Sequence, residues 1–489
     1  MNASLIVCQY SQFRSRSAKD PLRELPPNVG LKAKCVARSL LAVVYALLLS
    51  ACAAYQPGLG FEELRENVSK RSGSDLHWSD AQGSSAEIRT TVDRLLQAPL
   101  TADSVVRVVL LNSPTGQAIL ETLNVAQADM ILAGLVANPF VAGDARFGGD
   151  KTAFDFSIGQ SLLDLVYLPQ RWRIGRAEFD AAKAKSASAM LDLVWQARNA
   201  FLEFQAAKDT YELRKNVLAA IEASYTLARK LYAAGNITDL ALTNEEALFE
   251  EEKLALISAE LAVTEKSERL GTVMGLASDP AATWQIAAHL PKMPSAEPTR
   301  EVLEKDALAG NLELDQLRNE LKALGERSRL AAPLAVFPAA EAGAASQRDT
   351  DGSWASGPSL SISLPLFNQG QAARGKADAE VRRAQAKYRA AEISLITELR
   401  LAKVRLMKAR EEVQRQNQVI LPLRKRIVKE TEQQYVAMLV GGFELLKAKR
   451  DEIDARAVQI TALLGYWRAR ADLERLLAGG KVQSTTEEK

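Results

Sequence analysis

The chain has 489 residues, of which 47% are apolar and 25% are charged, a composition that favours a folded protein over a disordered one. The net charge of the chain is +2. Residues 1–51 contain seven Lys/Arg and two acids and so contribute +5, which leaves −3 for residues 52–489. That balance excludes the basic surface typical of nucleic-acid binding. Three cysteines, two of them within residues 1–51, and two histidines favour neither a thiolate nor a histidine-rich metal site, and we expect no cofactor.

An export segment is predicted at the N-terminus. The apolar run Leu40–Leu49 follows three basic residues, which is the pattern of a secretory signal peptide. It ends in Leu-Ser-Ala-Cys52, which resembles the lipobox of bacterial lipoproteins. We therefore expect residues 1–51 to be a lipoprotein signal peptide and Cys52 to carry the acyl chains, such as palmitate, of a membrane anchor. The lipoproteins that this segment resembles are held in the inner membrane mainly by Asp after the cysteine, so Ala53 favours the outer membrane. A plain signal peptide with a chance cysteine, or a short membrane helix, is the alternative.

Residues 52–98 contain Gly and Ser without a sustained period, so we interpret them as a lipidated N-terminal arm. Residues 99–279 form a first structural repeat. In chain order it is predicted to contain a helix from Leu100 to about Gly134, a strand-like segment Leu135–Val141, a Gly-rich loop through Gly149, an alternating strand around Phe154–Gly159, a long helix from Arg171 to about Ala234 and a return helix from about Thr238 to Gly271.

A Pro-rich linker at 280–300 separates this from a second repeat at 301–480, which a C-terminal tail at 481–489 follows. The second repeat is predicted to contain a helix from about Val302 to Leu330, a strand-like segment Pro333–Pro338, a polar loop over 339–356, an alternating strand over Ser359–Leu364, a long helix from about Gln371 to Val436, a break at Met438–Gly442 and a return helix to near Gly479. Pro139 and Pro169 are 30 residues apart and Pro338 and Pro365 are 27 apart, which indicates a duplicated fold.

The alternating strands each have one apolar and one polar face. Four strands per chain are too few to close a barrel, and lipid does not tolerate an open sheet edge, whereas three chains would pool about twelve strands. The predicted fold class is therefore mainly α with membrane β. It is a duplicated repeat of long helical hairpins plus two β-hairpins, trimerising into a 12-stranded outer-membrane β-barrel on a periplasmic α-helical barrel. The predicted lipid-facing residues are Phe154, Phe156, Ile158, Leu360, Ile362 and Leu364, and the predicted lumen-facing residues are Asp155, Ser157, Ser359, Ser361 and Ser363.

Four segments in order carry a family resemblance. They are PLTADSVVRVVLLNSPTGQAILETLNVAQADMILAGLVANP, LYAAGNITDLALTNEEALFEEEKL, GPSLSISLPLFNQGQAARGKADAEVRRAQ and QYVAMLVGGFELLKAKRDEIDA. Across nearly all of residues 95–480 the chain resembles the TolC family of outer-membrane efflux proteins. The segments GNITDL and PLFNQGQ are similar to the corresponding sequences of the family branch that works with heavy-metal efflux pumps.

The resemblance implies a homotrimeric exit duct in outer-membrane lipid, with a periplasmic helical extension and no chemistry of its own, hence not an enzyme. It would dock an inner-membrane transporter, of the resistance-nodulation-division type, through a periplasmic adaptor (membrane fusion) protein. By matching position the two tip turns would form a periplasmic gate of Gly235, Asp239, Met438, Val440, Gly441, Gly442 and Glu444. Met438 stands where the family usually has glycine and Val440 where some members have arginine, so apolar contacts are expected to replace an Arg–Asp network.

Alternatives stay open. A duct of type I protein secretion shares this fold, and a non-channel coiled-coil structural lipoprotein explains the helices but not two repeat-related amphipathic strand pairs. An enzyme is disfavoured because the sequence has no Gly-rich phosphate loop and no nucleophile elbow. The acidic run Glu245–Glu252 would give a negative entrance ring in a trimer, although such runs are more commonly solvated helix faces. The exported substrate stays undetermined: metal ions, drugs and small organic molecules all remain open.

Overall fold

A computed structural model describes residues 58–76, 85–148, 151–276, 284–286, 289–295, 304–336, 339–349 and 351–480. The predicted signal peptide, the lipidation site Cys52 and the tail 481–489 lie outside these ranges. No helix within them combines the length and the apolar character that crossing a membrane requires.

The order of elements in the first half of the chain recurs in the second. The first half contains α1 Phe61–Ser72, α2 Ser85–Gln97, α3 Ala102–Asn112, α4 Pro114–Ala133, β1 Phe140–Gly148, β2 Lys151–Ser161, α5 Leu162–Val166, α6 Leu168–Ala233 and α7 Asp239–Met274. The second contains α8 Glu304–Gly310, α9 Leu312–Val336, β3 Ala340–Arg348, β4 Trp354–Ile362, α10 Gln371–Arg415, a π-helix Gln416–Ile420, α11 Leu421–Val436 and α12 Gly442–Leu477. The predicted duplicated, mainly α fold is therefore confirmed.

Each long helix runs beside two shorter helices that are stacked end to end. Helix α6 has 66 residues, a length of about 99 Å at 1.5 Å per residue, whereas α7 has 36 and covers only part of it. Helices α3 and α4 continue the line of α7 along α6. Helices α8 and α9 continue the line of α12 in the same way. Since α6 packs against α4, α7, α9 and α12, and α10–α11 packs against α9 and α12, the helices form four columns. Their order is α4/α7, α6, α9/α12 and α10–α11.

Equivalent asparagines hold the stacked helices together in both repeats. The Asn112 amide donates to the carbonyls of Met274 and Gly275, each at 3.0 Å, and so satisfies the end of α7. Gly275 has a φ of +70°, and a Cβ there would lie 2.5 Å from Pro114, so the junction requires glycine. In the second repeat Asn311, buried between α8 and α9, donates to the Gly480 carbonyl at 3.2 Å.

The arm at 52–98 showed no sustained period in the sequence, yet its described part contains two helices, α1 and α2. Leu64 and Val68 of α1 are buried in the main apolar core. Arg71, at the end of α1, donates to the carbonyls of Gly310 and Ala478 at 2.6 Å each, and so ties α1 to the second junction. The signal is weak in the sequence because few apolar residues lie among many charged ones.

Strand positions also differ from the prediction. β1 begins at Phe140, so it occupies most of the predicted Gly-rich loop, while Leu135–Val141 is strand only at its end. Pro333 lies inside α9, and β3 occupies the start of the predicted loop 339–356. Both missed strands are rich in Ala and Gly, and pairing with their neighbours, not intrinsic propensity, makes them strands.

Apolar residues of α6 at coiled-coil spacing are buried. Val194, Ala197, Phe201 and Phe204 of α6 lie in the main core, where α6 meets the shorter helices. The second long helix is not continuous, however, because a π-helix precedes Pro422, which has no N–H to donate to the preceding turn. Ser113, just before Pro114, likewise divides the first predicted helix into α3 and α4.

We expect Asn112→Ala to lower the free energy of unfolding by roughly 1–2 kcal/mol, because two partly buried helix-end carbonyls lose their donor. Denaturant unfolding followed by helical circular dichroism measures this. Asn216→Ala, at an exposed position of α6, is the matched control. Equal effects of the two substitutions would contradict the role of Asn112.

Candidate pore sheet and helical tips

The four strands form one antiparallel sheet in the order β1-β2-β3-β4, so strands from both repeats pair directly. Phe156 of β2 lies opposite Gly143 of β1 and Ser346 of β3, and Asp155 lies opposite Asp144 and Gln347. Successive residues of a strand point to opposite faces, so this register fixes which side chains share a face.

One face of the sheet is apolar and largely exposed. It carries Val141, Phe147, Phe154, Phe156, Ile158, Trp354, Leu360 and Ile362. Phe156 and Ile158 are each 51% exposed and Leu360 is 67% exposed, so this face is largely open among the described residues. Leu364, just beyond β4, is exposed as well. Such a continuous apolar surface is typical of a lipid or protein contact.

The opposite face is polar. It carries Asp144, Arg146, Asp155, Ser157, Glu341, Gln347, Ser359 and Ser361. The strand residues of the predicted lumen-facing set therefore share one face; Ser363 lies one residue past β4, and its N–H still donates to the Ala339 carbonyl at 3.0 Å. The sequence analysis missed the charged residues of β1 and β3, because it placed those segments in loops.

An ion pair crosses the first hairpin on this polar face. Arg146 Nη2 lies 2.8 Å from Asp155 Oδ2, diagonally across β1 and β2. Asp144 is directly opposite Asp155, so Arg146 offsets a repulsion between two carboxylates that would otherwise weaken the hairpin.

The first tip turn, between α6 and α7, ends a helix and starts the next with standard caps. Gly235 adopts a φ of +73°, and the N–H of Asn236 bonds the Leu231 carbonyl at 2.8 Å, as in a Schellman motif. Thr238 caps α7 by accepting from the Ala241 N–H at 3.3 Å. Asp239 is exposed in the first turn of α7, where a carboxylate is favourable.

The second tip turn repeats this geometry with a different residue in the left-handed position. Met438 takes a φ of +59°, where the first tip has Gly235, and the Leu439 N–H bonds the Gln434 carbonyl at 2.9 Å. Val440 follows in the turn, Gly441 is the N-cap of α12, and Gly442 and Glu444 lie in its first turn.

An apolar surface extends over both tips. Met438 is 92% exposed, and four further large apolar residues are also exposed there: Leu240, Val436, Leu439 and Phe443. A groove of about 610 Å³ between the tips is lined by residues of both, among them Ile237 and Tyr435. The predicted site residues Gly235, Asp239, Val440, Gly441, Gly442 and Glu444 thus lie within an apolar surface whose large side chains the sequence analysis did not single out.

The acidic run on α7 is divided between two environments. Glu252 is buried, and Arg214 Nη1 of α6 lies 3.2 Å from its carboxylate. Burial raises the pKa of Glu252, against the opposing effect of Arg214. Glu251 pairs with Arg450 of α12 at 2.7 Å, so part of this run joins the two hairpins. Glu246 and Glu250 are exposed.

Comparison with protein families identifies the fold. The model of the outer membrane efflux protein family matches residues 109–276 and again residues 303–479. The chain belongs to this family. The two matches correspond to the two halves of the duplicated fold. No curated protein sequence matches the chain. Within the described residues no cluster of His, Cys, Asp and Glu is suited to hold a metal ion.

Solved channels share this architecture. The Campylobacter jejuni CmeC outer membrane channel matches with a TM-score of 0.66 at 14% identity, over 84% of this chain and 90% of that one. The Neisseria gonorrhoeae MtrE outer membrane channel, in its open state, matches with a TM-score of 0.66 at 17% identity, over 78% of this chain and 91% of that one. The outer membrane protein VceC of Vibrio cholerae matches with a TM-score of 0.64 at 16% identity, over 81% of this chain and 97% of that one. CmeC and MtrE are outer membrane channels, and the family is one of outer membrane efflux channels and not of enzymes, as the sequence predicted.

The left-handed Met438 generates a prediction for the second tip. We expect Met438→Gly to stabilise this turn by about 1 kcal/mol, because a side chain in the left-handed region is strained. Hydrogen exchange of the tip amides measures the effect. Ala437→Gly, one residue earlier at a φ of −77°, is the control and should destabilise the turn. Faster exchange in the Met438 variant would contradict the prediction.

Proposed function

We propose that this chain is the outer-membrane exit duct of a tripartite efflux system. In this proposal three copies pool their sheets into a 12-stranded barrel and their helices into a periplasmic tube, through which substrates from an inner-membrane pump pass to the outside. One observation carries the proposal: a four-stranded sheet has one exposed apolar face and one polar face, and ends in two outer strands, β1 and β4.

The physics of lipid supports closure by several copies. An unpaired backbone N–H or C=O in hydrocarbon costs several kcal/mol, so strands enter a membrane only as a closed barrel. Pairing β4 of one copy with β1 of the next would satisfy both edges. The apolar face would then contact lipid and the polar face, with Asp155 and Ser157, would line water.

Membership of the family and the position of the tips support the proposed partners. Helix α6 extends about 99 Å from the sheet, so its tip would lie deep in the periplasm. There it would receive a periplasmic adaptor protein and, through it, an inner-membrane transporter of the resistance-nodulation-division type. A lipid anchor at Cys52 would hold the N-terminal arm in the outer membrane.

Oligomeric mass and conductance test the proposal together. The protein would be purified from outer membranes in mild detergent, weighed by native mass spectrometry, and reconstituted in a planar bilayer. A trimer that conducts ions supports the duct. A monomer that leaves the membrane once its acyl chains are removed, and that conducts nothing, would contradict it and favour the coiled-coil structural lipoprotein. Loss of protein secretion, but not of small-molecule efflux, on deletion of the gene would instead favour a type I secretion duct.

Neighbouring residues of β2 test the two faces. We expect Phe156→Arg to impair membrane insertion, at a cost of roughly 2–4 kcal/mol for an arginine facing lipid. Ser157→Arg should insert normally and change ion selectivity, because it would face the lumen. The amount of heat-resistant trimer in outer membranes measures insertion. Equal loss in both variants would contradict the assignment of faces.

The apolar tips generate a prediction for the gate. If contacts among Leu439 and Phe443 close the duct, Leu439→Ser with Phe443→Ser should raise the open probability at least about tenfold, since burying each such side chain is worth about 1.5–3 kcal/mol and about 1.4 kcal/mol is a factor of ten. Asp239→Ala should have little effect, and Val458→Ser, exposed on α12, is the control. Single-channel recording gives the open probability. A larger effect of Asp239→Ala would indicate a polar gate instead.

A further inference from the structure

We infer that the apolar face of the sheet carries a binding site for one phosphorylated glycolipid, the lipid A of an outer leaflet. In this site Arg348 binds a phosphate of the lipid, and a groove beside Phe156 binds one of its acyl chains. The inference rests on the proposed function, because it requires this face to lie in the outer membrane. It follows from an arginine that stands on an apolar face, at the end of a groove.

Arg348 is the last residue of β3, and the register places it on the apolar face. It lies directly opposite Phe154 of β2 and Trp354 of β4, and it is exposed. Among the described residues no salt bridge involves Arg348, whereas Arg146 on the polar face pairs with Asp155. A guanidinium in this position can bind a phosphate through two parallel hydrogen bonds.

The turn that follows Arg348 contains two carboxylates, and both are directed elsewhere. Asp351 accepts from the N–H and the hydroxyl of Ser353, at 2.8 and 2.6 Å. The Asp349 N–H donates to the Ser353 carbonyl at 2.9 Å, which continues the pairing of the hairpin by one residue. Because successive residues of a strand point to opposite faces, Asp349 belongs to the polar face and Arg348 to the apolar one.

The groove begins one step along β3 from Arg348. It is shallow, has a volume of about 570 Å³, and runs beside the ring of Phe156. Its floor consists of the small residues Ala344, Ser346 and Ser356. The hydroxyls of Ser346 and Ser356 bond each other at 2.8 Å, so both are satisfied without water. An apolar channel of this kind suits an extended hydrocarbon chain.

Arginine and groove lie at the depths at which a lipid has its phosphate and its acyl chains. The helices leave the sheet at the end opposite the β1–β2 and β3–β4 turns, so these turns face outward in the proposed duct. Arg348 would therefore lie at the outer boundary of the membrane. At about 3.4 Å per residue and a strand tilt of about 40°, Ser346 lies about 5 Å and Ala344 about 10 Å deeper. Both are within the outer half of an apolar band roughly 25 Å tall.

Charge complementarity selects the lipid. A zwitterionic head group carries its own ammonium, which offsets the attraction of its phosphate to Arg348, whereas a phosphate attached to a sugar has no such partner. In lipid A the phosphates and the acyl chains are attached to the same small sugar unit. One molecule can therefore reach both Arg348 and the groove, and a trimer would bind three such molecules.

Lipid titration of the full-length protein tests this site. The protein is purified in mild detergent, stripped of native lipid and titrated with doubly phosphorylated lipid A or with phosphatidylethanolamine, and native mass spectrometry counts the bound molecules. We expect lipid A to bind at least about tenfold more tightly. Arg348→Gln should weaken lipid A binding at least about tenfold, whereas Arg348→Lys should retain part of it. Ala344→Phe, which fills the groove, should also weaken it.

Two substitutions nearby are the controls. Ala345→Phe adds the same ring to the polar face, and Arg374→Gln removes an exposed arginine from α10. Both should bind lipid A as the wild type does, and the amount of heat-resistant trimer checks that every variant is assembled. Equal binding of the two lipids, or lipid A binding that Arg348→Gln leaves unchanged, would overturn the inference while leaving the duct intact. A monomeric wild-type protein that conducts nothing would instead refute the proposed function itself.

Discussion

The unsatisfied edge of a β-sheet is the constraint on which the rest of this structure depends. A sheet of four strands leaves β1 and β4 with backbone groups directed outward, and one of its faces is covered with exposed aromatic and aliphatic side chains. Unpaired backbone groups are costly in lipid, and a broad apolar face is costly in water. The helices have the same property on a larger scale, since four columns side by side also leave two edges. Sheet and helical body thus end in free edges in one and the same chain, and a ring of copies would satisfy both.

Duplication explains why the two hairpins are equivalent but not identical. Asn112 and Asn311 perform the same task at the two helix junctions, while only the second junction receives Arg71 from α1. The tips also share one backbone geometry, yet Gly235 has been replaced in the second by Met438. Ion pairs such as Glu251 with Arg450 hold the halves together near the tips. The repeats therefore keep the same order of main elements, and they differ at the helix junctions, at the tips and in the π-helix of the second long helix.

The sequence predicted those parts of the fold whose signal is local. β2 and β4 and the long helices α6 and α10 each have one apolar face, and such a face leaves a periodic record in the sequence. β1 and β3 left none, because Ala and Gly become strands there only through pairing with their neighbours. The tip turns were found from their glycines, but the exposed Leu439 and Phe443 could not be recognised before the turns were seen side by side.

Solvent accessibility of the two sheet faces is the most direct test of the central claim that this sheet separates lipid from a water-filled path. Cys52 is the only cysteine after residue 35, so introduced cysteines can be labelled selectively. Ser157→Cys and Ser359→Cys, on the polar face, should react with a small, charged, membrane-impermeant thiol reagent in outer membranes. Phe156→Cys and Leu360→Cys, on the apolar face, should be protected until detergent is added. Equal labelling of all four positions, or labelling of the apolar face alone, would contradict the account.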